Sequence, residues 1–478
     1  MSAHFAQNSA PFPKGNCRLP QALVLPRRKN FARSHGSTGL PPPCQRAGPR
    51  VIMGPMTSST AFAEGQFART PEFEQKLNRL AEVAVHVGLG LAPGQELVMT
   101  ATLDAVPLAR RITEHAYKAG ATLVTTLFGD EESTLLRYRH APDGSFDVAS
   151  SWLYEGMAQA FRKGSARLAI TGGNPSLLSG EDPERVSRAN RAVSKAYRPA
   201  LELITRHEIN WTIVACATPA WAASVFPDLP QQEAMRRLWD AIFAASRADQ
   251  PDPVAAWKEH DAKLHAWAGR LNERRYSALH FKGPGTDLKV GLADGHLWLG
   301  GGTMAGNGRY CIPNMPTEEV FTTPHKDRVE GRVTSTKPLS HQGTMIEGIS
   351  VRFEAGQIVE AHASRGEQVL QRMIDTDDGA RRLGEVSLVP HSSPIASSGL
   401  LFNNTLFDEN AACHIALGQA YSNCVKDGDK LKPEELASRG ANESLIHVDW
   451  MIGSNKIDVD GLTADGKAEP VMRAGEWV

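Results

Sequence analysis

The sequence predicts an α/β protein in two parts. An N-terminal domain with a parallel, doubly wound sheet is expected over residues 64–284, and a C-terminal α+β domain carrying the candidate site over residues 285–478. Three observations carry this expectation. Short apolar runs alternate with helical periods from about residue 70 to 280, the pattern then changes to short strands with hairpin turns, and the segments with unusual chemistry all lie in that second part. At 478 residues with 41% hydrophobic content, the chain can bury two cores.

In order along the chain, residues 73–87 alternate apolar and charged side chains at helical spacing, and residues 96–100 read as a short buried strand. Residues 107–119 form the next helix, ended by Gly120, and residues 121–127 the next strand, which completes a strand, helix, strand unit. Further strands are expected at 166–171 and 211–215, and a long helical region at 231–271. Past residue 285, a strand at 287–292 runs into Ala293-Asp294-Gly295, and one at 349–353 into Glu354-Ala355-Gly356-Gln357. Gly172-Gly173 and Gly300-Gly301-Gly302 lack the spacing of a dinucleotide fingerprint and read as turns. The chain has neither a nucleophile elbow nor a phosphate-binding loop.

Residues 1–63 contain no Asp or Glu, carry several Arg and Lys, and are broken by Pro41-Pro42-Pro43. Such a segment cannot bury much apolar surface and reads as disordered. An acid-free leader also resembles a transit peptide, and the favoured account is that translation starts at Met53 or Met56. Lys plus Arg (52) balances Asp plus Glu (53), so no basic excess points to nucleic acid, and no apolar run reaches the roughly 20 residues that span a bilayer. Six scattered cysteines without a Cys-x-x-Cys pair fit a reducing cytoplasm.

Four segments carry chemistry. Leu445-Ile446-His447-Val448-Asp449-Trp450-Met451-Ile452 reads as a strand whose alternation puts His447 and Asp449 on one face, opposite Ile446, Val448 and Trp450. Residues 406–421 read as an Ala-rich helix placing His414 and Tyr421 two turns apart on one face, although a core or interface tyrosine is an equal reading. Glu318-Glu319 enters a short β-type run, and Glu385 shares a strand face with Ser387. An isolated Glu is more often a solvated charge. Carboxylates together with imidazoles, however, are the donors of a hydrolytic site for divalent metals.

These four segments, at residues 316–324, 383–390, 406–421 and 446–453, resemble the signature segments of the M29 metallopeptidases, the thermophilic-type aminopeptidases, in order and with family-like spacing. The resemblance runs from about Phe73 to the C-terminus. It implies two divalent metal ions (Zn, Co, Mn or Mg) held by Glu319, Glu385, His414, His447 and Asp449, with Tyr421 as a catalytic tyrosine stabilising the oxyanion. Glu318 is the candidate general base, and which member of the Glu318-Glu319 pair is ligand and which is base stays open. The implied activity is release of N-terminal amino acids from short peptides by metal-activated water, in a homodimer, which the cysteine usage places in the cytoplasm. Two rivals remain: a dinuclear metal hydrolase acting on a non-peptide amide or ester, and an idle, metal-stabilised oligomeric protein.

Overall fold

The computed structural model describes residues 70–341 and 344–478, so the leader expected over residues 1–63 lies outside the described part. In the first region, strands β1 (Glu96–Thr102), β2 (Leu123–Gly129), β3 (Ala166–Thr171) and β4 (Trp211–Ala215) pair in parallel in the order β2-β1-β3-β4. With them run helices α1 (Pro71–Val83), α2 (Val106–Lys118), α3 (Glu131–His140), α4 (Ser151–Arg162), α5 (Pro183–Thr205), α6 (Pro219–Val225), α7 (Gln231–Ala245) and α8 (Pro253–Arg274). Successive side chains of β1 leave on opposite faces. Leu97 and Met99 join one core with Leu77 of α1, Ile112 of α2 and Leu238 of α7, while Val98 joins another with Met157 and Phe161 of α4 and Ile204 of α5. Helices therefore cover both faces of the sheet, which is the doubly wound arrangement the sequence predicts.

The long helix expected at 231–271 is two helices. Pro251 and Pro253 disfavour a helical conformation at the residues before them, and the Asp252 carboxylate instead caps α8 by accepting from the Ala255 amide at 2.9 Å. In the gap, Arg247 takes a left-handed backbone conformation with φ of 57°. Helices α3, α4 and α5 have no counterpart in the sequence reading.

The second region contains β5 (Ala278–Gly283), β6 (Thr286–Leu292), β7 (Leu299–Gly300), β8 (Thr303–Met304), β9 (Tyr310–Cys311), β10 (Val320–Thr322), β11 (Pro324–Thr334), β12 (Leu339–His341), β13 (Thr344–Ile346), β14 (Ser350–Glu354) and β15 (Gln357–His362). It continues with α9 (Glu367–Ile374), β16 (Leu383–Leu388), α10 (Pro394–Ser397), α11 (Thr405–Asp408), β17 (His414–Gly418), α12 (Pro433–Ser438), β18 (His447–Met451), β19 (Asp458–Leu462), β20 (Ala468–Arg473) and β21 (Glu476–Trp477). Two larger sheets form, of five strands in the order β18-β17-β16-β10-β7 and of eight in the order β15-β14-β11-β6-β5-β19-β20-β21. They share a core in which Phe281, Val290 and Val351 of the larger sheet meet Val386, Ile415 and Trp450 of the smaller.

Residue 285, where the sequence reading divides the chain, lies in the turn between β5 and β6, which pair directly. The turn expected at 354–357 closes the β14–β15 hairpin, with Ala355 and Gly356 both at positive φ (45° and 79°), the geometry a two-residue hairpin turn demands. The turn at 293–295 closes no hairpin, because β6 pairs with β5 and β11.

Candidate metal centre

The site is one face of the five-stranded sheet. Cross-strand register puts Asp449, Ala416 and Glu385 in one row and His414 beside Ser387 in the next, with Ser387 paired in turn to Phe321. Partners across a strand pair share a face, as do residues two apart along a strand, so His447, Asp449, His414, Glu385 and Glu319 all belong to this face. The opposite face, with Val320, Val386, Leu388, Ile415, Leu417 and Trp450, is core. Between the ligand-bearing positions stand the smallest side chains: Ala416 between Glu385 and Asp449, and Gly418 opposite His447. At Gly418, φ is 103° and a Cβ would lie 2.1 Å from the Ile446 carbonyl oxygen, so only glycine fits.

His414 corrects the sequence reading. It opens β17, and it is not on a helix with Tyr421, because α11 ends at Asp408 and a single 3₁₀ turn, Glu409–Ala411, follows it. The apolar run Ile415-Ala416-Leu417 is buried on both faces between β16 and β18, and such burial overrides the helical preference of Ala-rich sequence. Tyr421 lies in the loop after β17, and its ring centroid is 4.7 Å from that of His447, so the phenol still borders the site.

Two triads share one carboxylate. Donor atoms of Glu319, Glu385 and His414 lie within 4.8 Å of one another, as do those of Glu385, His447 and Asp449. The shared Glu385 presents Oε1 to His414 Nε2 (3.6 Å) and Oε2 to His447 Nε2 (3.4 Å). Glu319 Oε2 is 3.1 Å from His414 Nε2 and accepts from Ser387 Oγ at 2.7 Å, while Asp449 Oδ1 is 3.5 Å from His447 Nε2. Each imidazole is oriented from behind, with His447 Nδ1 2.7 Å from the Gln419 carbonyl oxygen and His414 Nδ1 3.2 Å from that of Ala412. With Nδ1–H donating there, the Nε2 lone pair faces the carboxylates, the arrangement a metal-ligating histidine uses.

The donor set fits divalent cations. Among the described residues, the ion pairs of Glu319, Glu385 and Asp449 are all to imidazoles, with no Lys or Arg among them. Burial would lower the pKa of both histidines, yet Glu319, Glu385 and Asp449 raise that of His414, and Tyr421 followed by Asp449 and Glu385 raise that of His447, well above the usual range. A cluster that attracts protons this strongly offers the same field to a cation.

Glu409, which the sequence analysis did not single out, belongs here too. It is 9% exposed, and its carboxyl is raised well above the carboxylate range by burial and then by the charges of Glu319, Asp449 and Glu385, so it stands within their field. Its neighbour Asp408 is structural, accepting from the amides of Phe402 (2.8 Å) and Asn404 (3.0 Å). The available signal was the Asp408-Glu409 pair just before His414, which looks like helix-entry charge in sequence. Glu318 is not brought into either triad: its Oε1 lies 2.8 Å from Arg247 Nη2 and its Oε2 3.5 Å from His260 Nε2.

The profile of the M29 family, thermophilic metalloproteases, matches residues 73–477. The chain belongs to the M29 metallopeptidases. It is 56% identical over 406 residues to Aminopeptidase T of Thermus thermophilus, covering 85% of this chain and 99% of that protein, and 46% identical over 405 residues to Aminopeptidase 2 of Geobacillus stearothermophilus, covering 85% and 98%. The solved structure of wild-type AmpT from Thermus thermophilus superposes on this M29 chain with a TM-score of 0.81 at 55% identity, covering 85% of this chain and all of that one. No helix among the described residues is long and apolar enough to cross a membrane.

Proposed function

We propose that this M29 enzyme releases N-terminal amino acids from short peptides at a dinuclear centre held by Glu319, Glu385, His414, His447 and Asp449. The enzyme is a metallo-aminopeptidase, and the observation that carries the dinuclear reading is Glu385, whose two oxygens each face a different imidazole. Two divalent cations bound there would supply Lewis-acid polarisation of a carbonyl oxygen and a water of lowered pKa.

The chain's own groups do the rest. Once the charges of Glu319, Asp449 and Glu385 that keep it protonated are offset by the cations they hold, Glu409, buried beside the cluster, would as a carboxylate accept the proton of the attacking water and return it to the departing amine. It takes this role in place of Glu318, whose carboxylate is turned to Arg247 and His260. For Tyr421, the charge of His447 favours ionisation, but burial and the carboxylates of Glu385, Asp449 and Glu409 outweigh it and hold the phenol protonated far above neutral pH. A protonated phenol donates a hydrogen bond to the carbonyl oxygen as negative charge develops on it. A cytoplasmic homodimer belongs to the same reading. The family resemblance supports the homodimer, and the buried free thiols of Cys216, Cys311, Cys413 and Cys424 suit a reducing compartment.

The test is release of free amino acids from a panel of short peptides, unblocked and N-acetylated, with chelation and re-addition of Zn, Co, Mn or Mg. Metal-dependent release from unblocked peptides alone is expected. Equal cleavage of both kinds, or full activity after exhaustive chelation, refutes the reading, and hydrolysis of non-peptide amides or esters instead would install the rival.

A further inference from the structure

We propose that Arg247 is a positioning residue for the metal centre: reaching over from the gap between α7 and α8, it grips Glu318 and thereby fixes where the adjoining Glu319 presents its carboxylate. The proposal rests on the reading of Glu319 as a metal ligand.

Glu318 is only 4% exposed, and a carboxylate buried that deeply cannot stay charged without a partner. Arg247 is that partner, with Nη2 at 2.8 Å and a side chain itself 13% exposed. The arginine is in turn held. Its guanidinium carbon lies 4.8 Å from the centroid of the Trp257 ring, Nη1 donates to the Ala245 carbonyl at 3.2 Å, and its left-handed backbone is set by the break between the two helices. A planar, delocalised cation can stack on an aromatic face and pair with a carboxylate at once, which an ammonium does less well.

Two more contacts pin the same stretch of chain. His260 Nε2 lies 2.7 Å from the Thr317 carbonyl oxygen as donor, and the Glu318 amide donates to Asn410 Oδ1 at 2.6 Å. The residue before Glu319 is thus held through its side chain and its amide, and the carbonyl preceding it is held as well. Little beyond its own side-chain torsions remains free to Glu319, and Ser387 and His414 engage those. Arg247, Glu318, His260 and Asn410 lie in neither triad, so their effect on metal binding is indirect. Partners that orient ligands in this way usually set metal affinity within about 10- to 100-fold.

The experiment titrates Co²⁺ into the metal-free, full-length protein, following visible absorption and competition with a chelating indicator, for wild type, R247M, R247K, E318Q and R247M/E318Q. R247M is expected to bind about 10- to 100-fold more weakly and to shift the Co²⁺ absorption bands. R247K should recover part of the affinity, and the double variant should bind no more weakly than R247M, because both changes act through one contact. Turnover of the fully loaded enzyme should fall by less than the affinity does, since Arg247 stands outside both triads. If R247M lowers the melting temperature of the metal-free protein but binds Co²⁺ within twofold of wild type with unchanged bands, the contact is only structural and the proposal is overturned. Multiplicative losses in the double variant overturn it as well. Should R247M fail to fold, R247K decides, and binding equal to wild type sinks the idea. If wild type itself binds no Co²⁺, the metal reading falls with it, an outcome distinct from wild type and R247M binding alike.

Discussion

Strand β1 of the parallel sheet and strand β16 of the five-stranded sheet are both flanked by a partner on each side, but their faces differ. β1 sends Leu97 and Met99 into one apolar core and Val98 into another. β16 sends Val386 and Leu388 into core on one face only, while on the other it carries Glu385 and Ser387, both as deeply buried as the apolar residues. A strand with helices over both faces has nowhere to keep a charge, and chemistry in that architecture is confined to strand ends. A strand whose second face meets other polar side chains instead of an apolar core can bury carboxylates in mid-sheet, on condition that something cationic neutralises them. The polar face of the five-stranded sheet is thus where a buried cation site fits, and the difference between the two strands can be broken experimentally.

The largest effect is expected at the shared carboxylate. Glu385→Gln removes a donor from both triads, so both ions should be lost from the dialysed protein together with essentially all activity. Retention of a full metal complement would show that Glu385 is not shared. Ala416→Leu approaches the same result sterically, by filling the space between Glu385 and Asp449, and metal analysis of the folded protein checks it.

Next in size is Glu409→Gln, which should keep its metal yet lose on the order of 10²- to 10⁴-fold in kcat, the scale of a missing general base. Glu318→Gln is the counterpart: if it keeps full metal affinity and shows that kinetic loss while Glu409→Gln turns over normally, the base is Glu318 after all. Tyr421→Phe should retain metal and lose roughly 10²- to 10³-fold in kcat, as for removal of one oxyanion donor.

In the parallel sheet the opposite split is expected. Leu168→Ala, at a fully buried position, should cost about 2–5 kcal/mol of stability by urea unfolding and leave Co²⁺ affinity unchanged. A loss of affinity would mean that the two regions are more tightly coupled than one arginine explains.

The smallest effect is a pH slope. Burial, aided by the Arg247 charge, holds the His260 pKa down to about 3 from 6.5, so the fold prefers the neutral ring. That contribution is complete above pH 6.5 and is lost progressively as pH falls towards 3. Between pH 7 and 5 the metal-free wild type should therefore lose about 2 kcal/mol more stability than His260→Gln. Parallel losses in urea titrations at the two pH values would discount His260 as the source.

What the sequence made legible follows the same division. The period-2 alternation of residues 445–452 marked His447 and Asp449 as neighbours on one face because β18 has one polar and one apolar face to display. β17 was misread as a helix because both of its faces are buried, which erases the alternation, and Ala416 together with the alanines on either side of the strand favours helix. The gap holding Arg247 was hidden inside an otherwise continuous helical period, with only Pro251 and Pro253 to betray it. Glu409 was invisible for another reason: one buried acid reads the same as a capping charge until its surroundings are known.

The sharing of Glu385 also constrains how this enzyme can change over evolutionary time. Loss of Glu319 or His414 leaves Glu385, His447 and Asp449 together, whereas loss of Glu385 disables both triads at once. On the proposed dinuclear reading, a descendant that works with a single ion is reached by erosion at the Glu319–His414 end, whereas loss of Glu385 leaves neither triad complete.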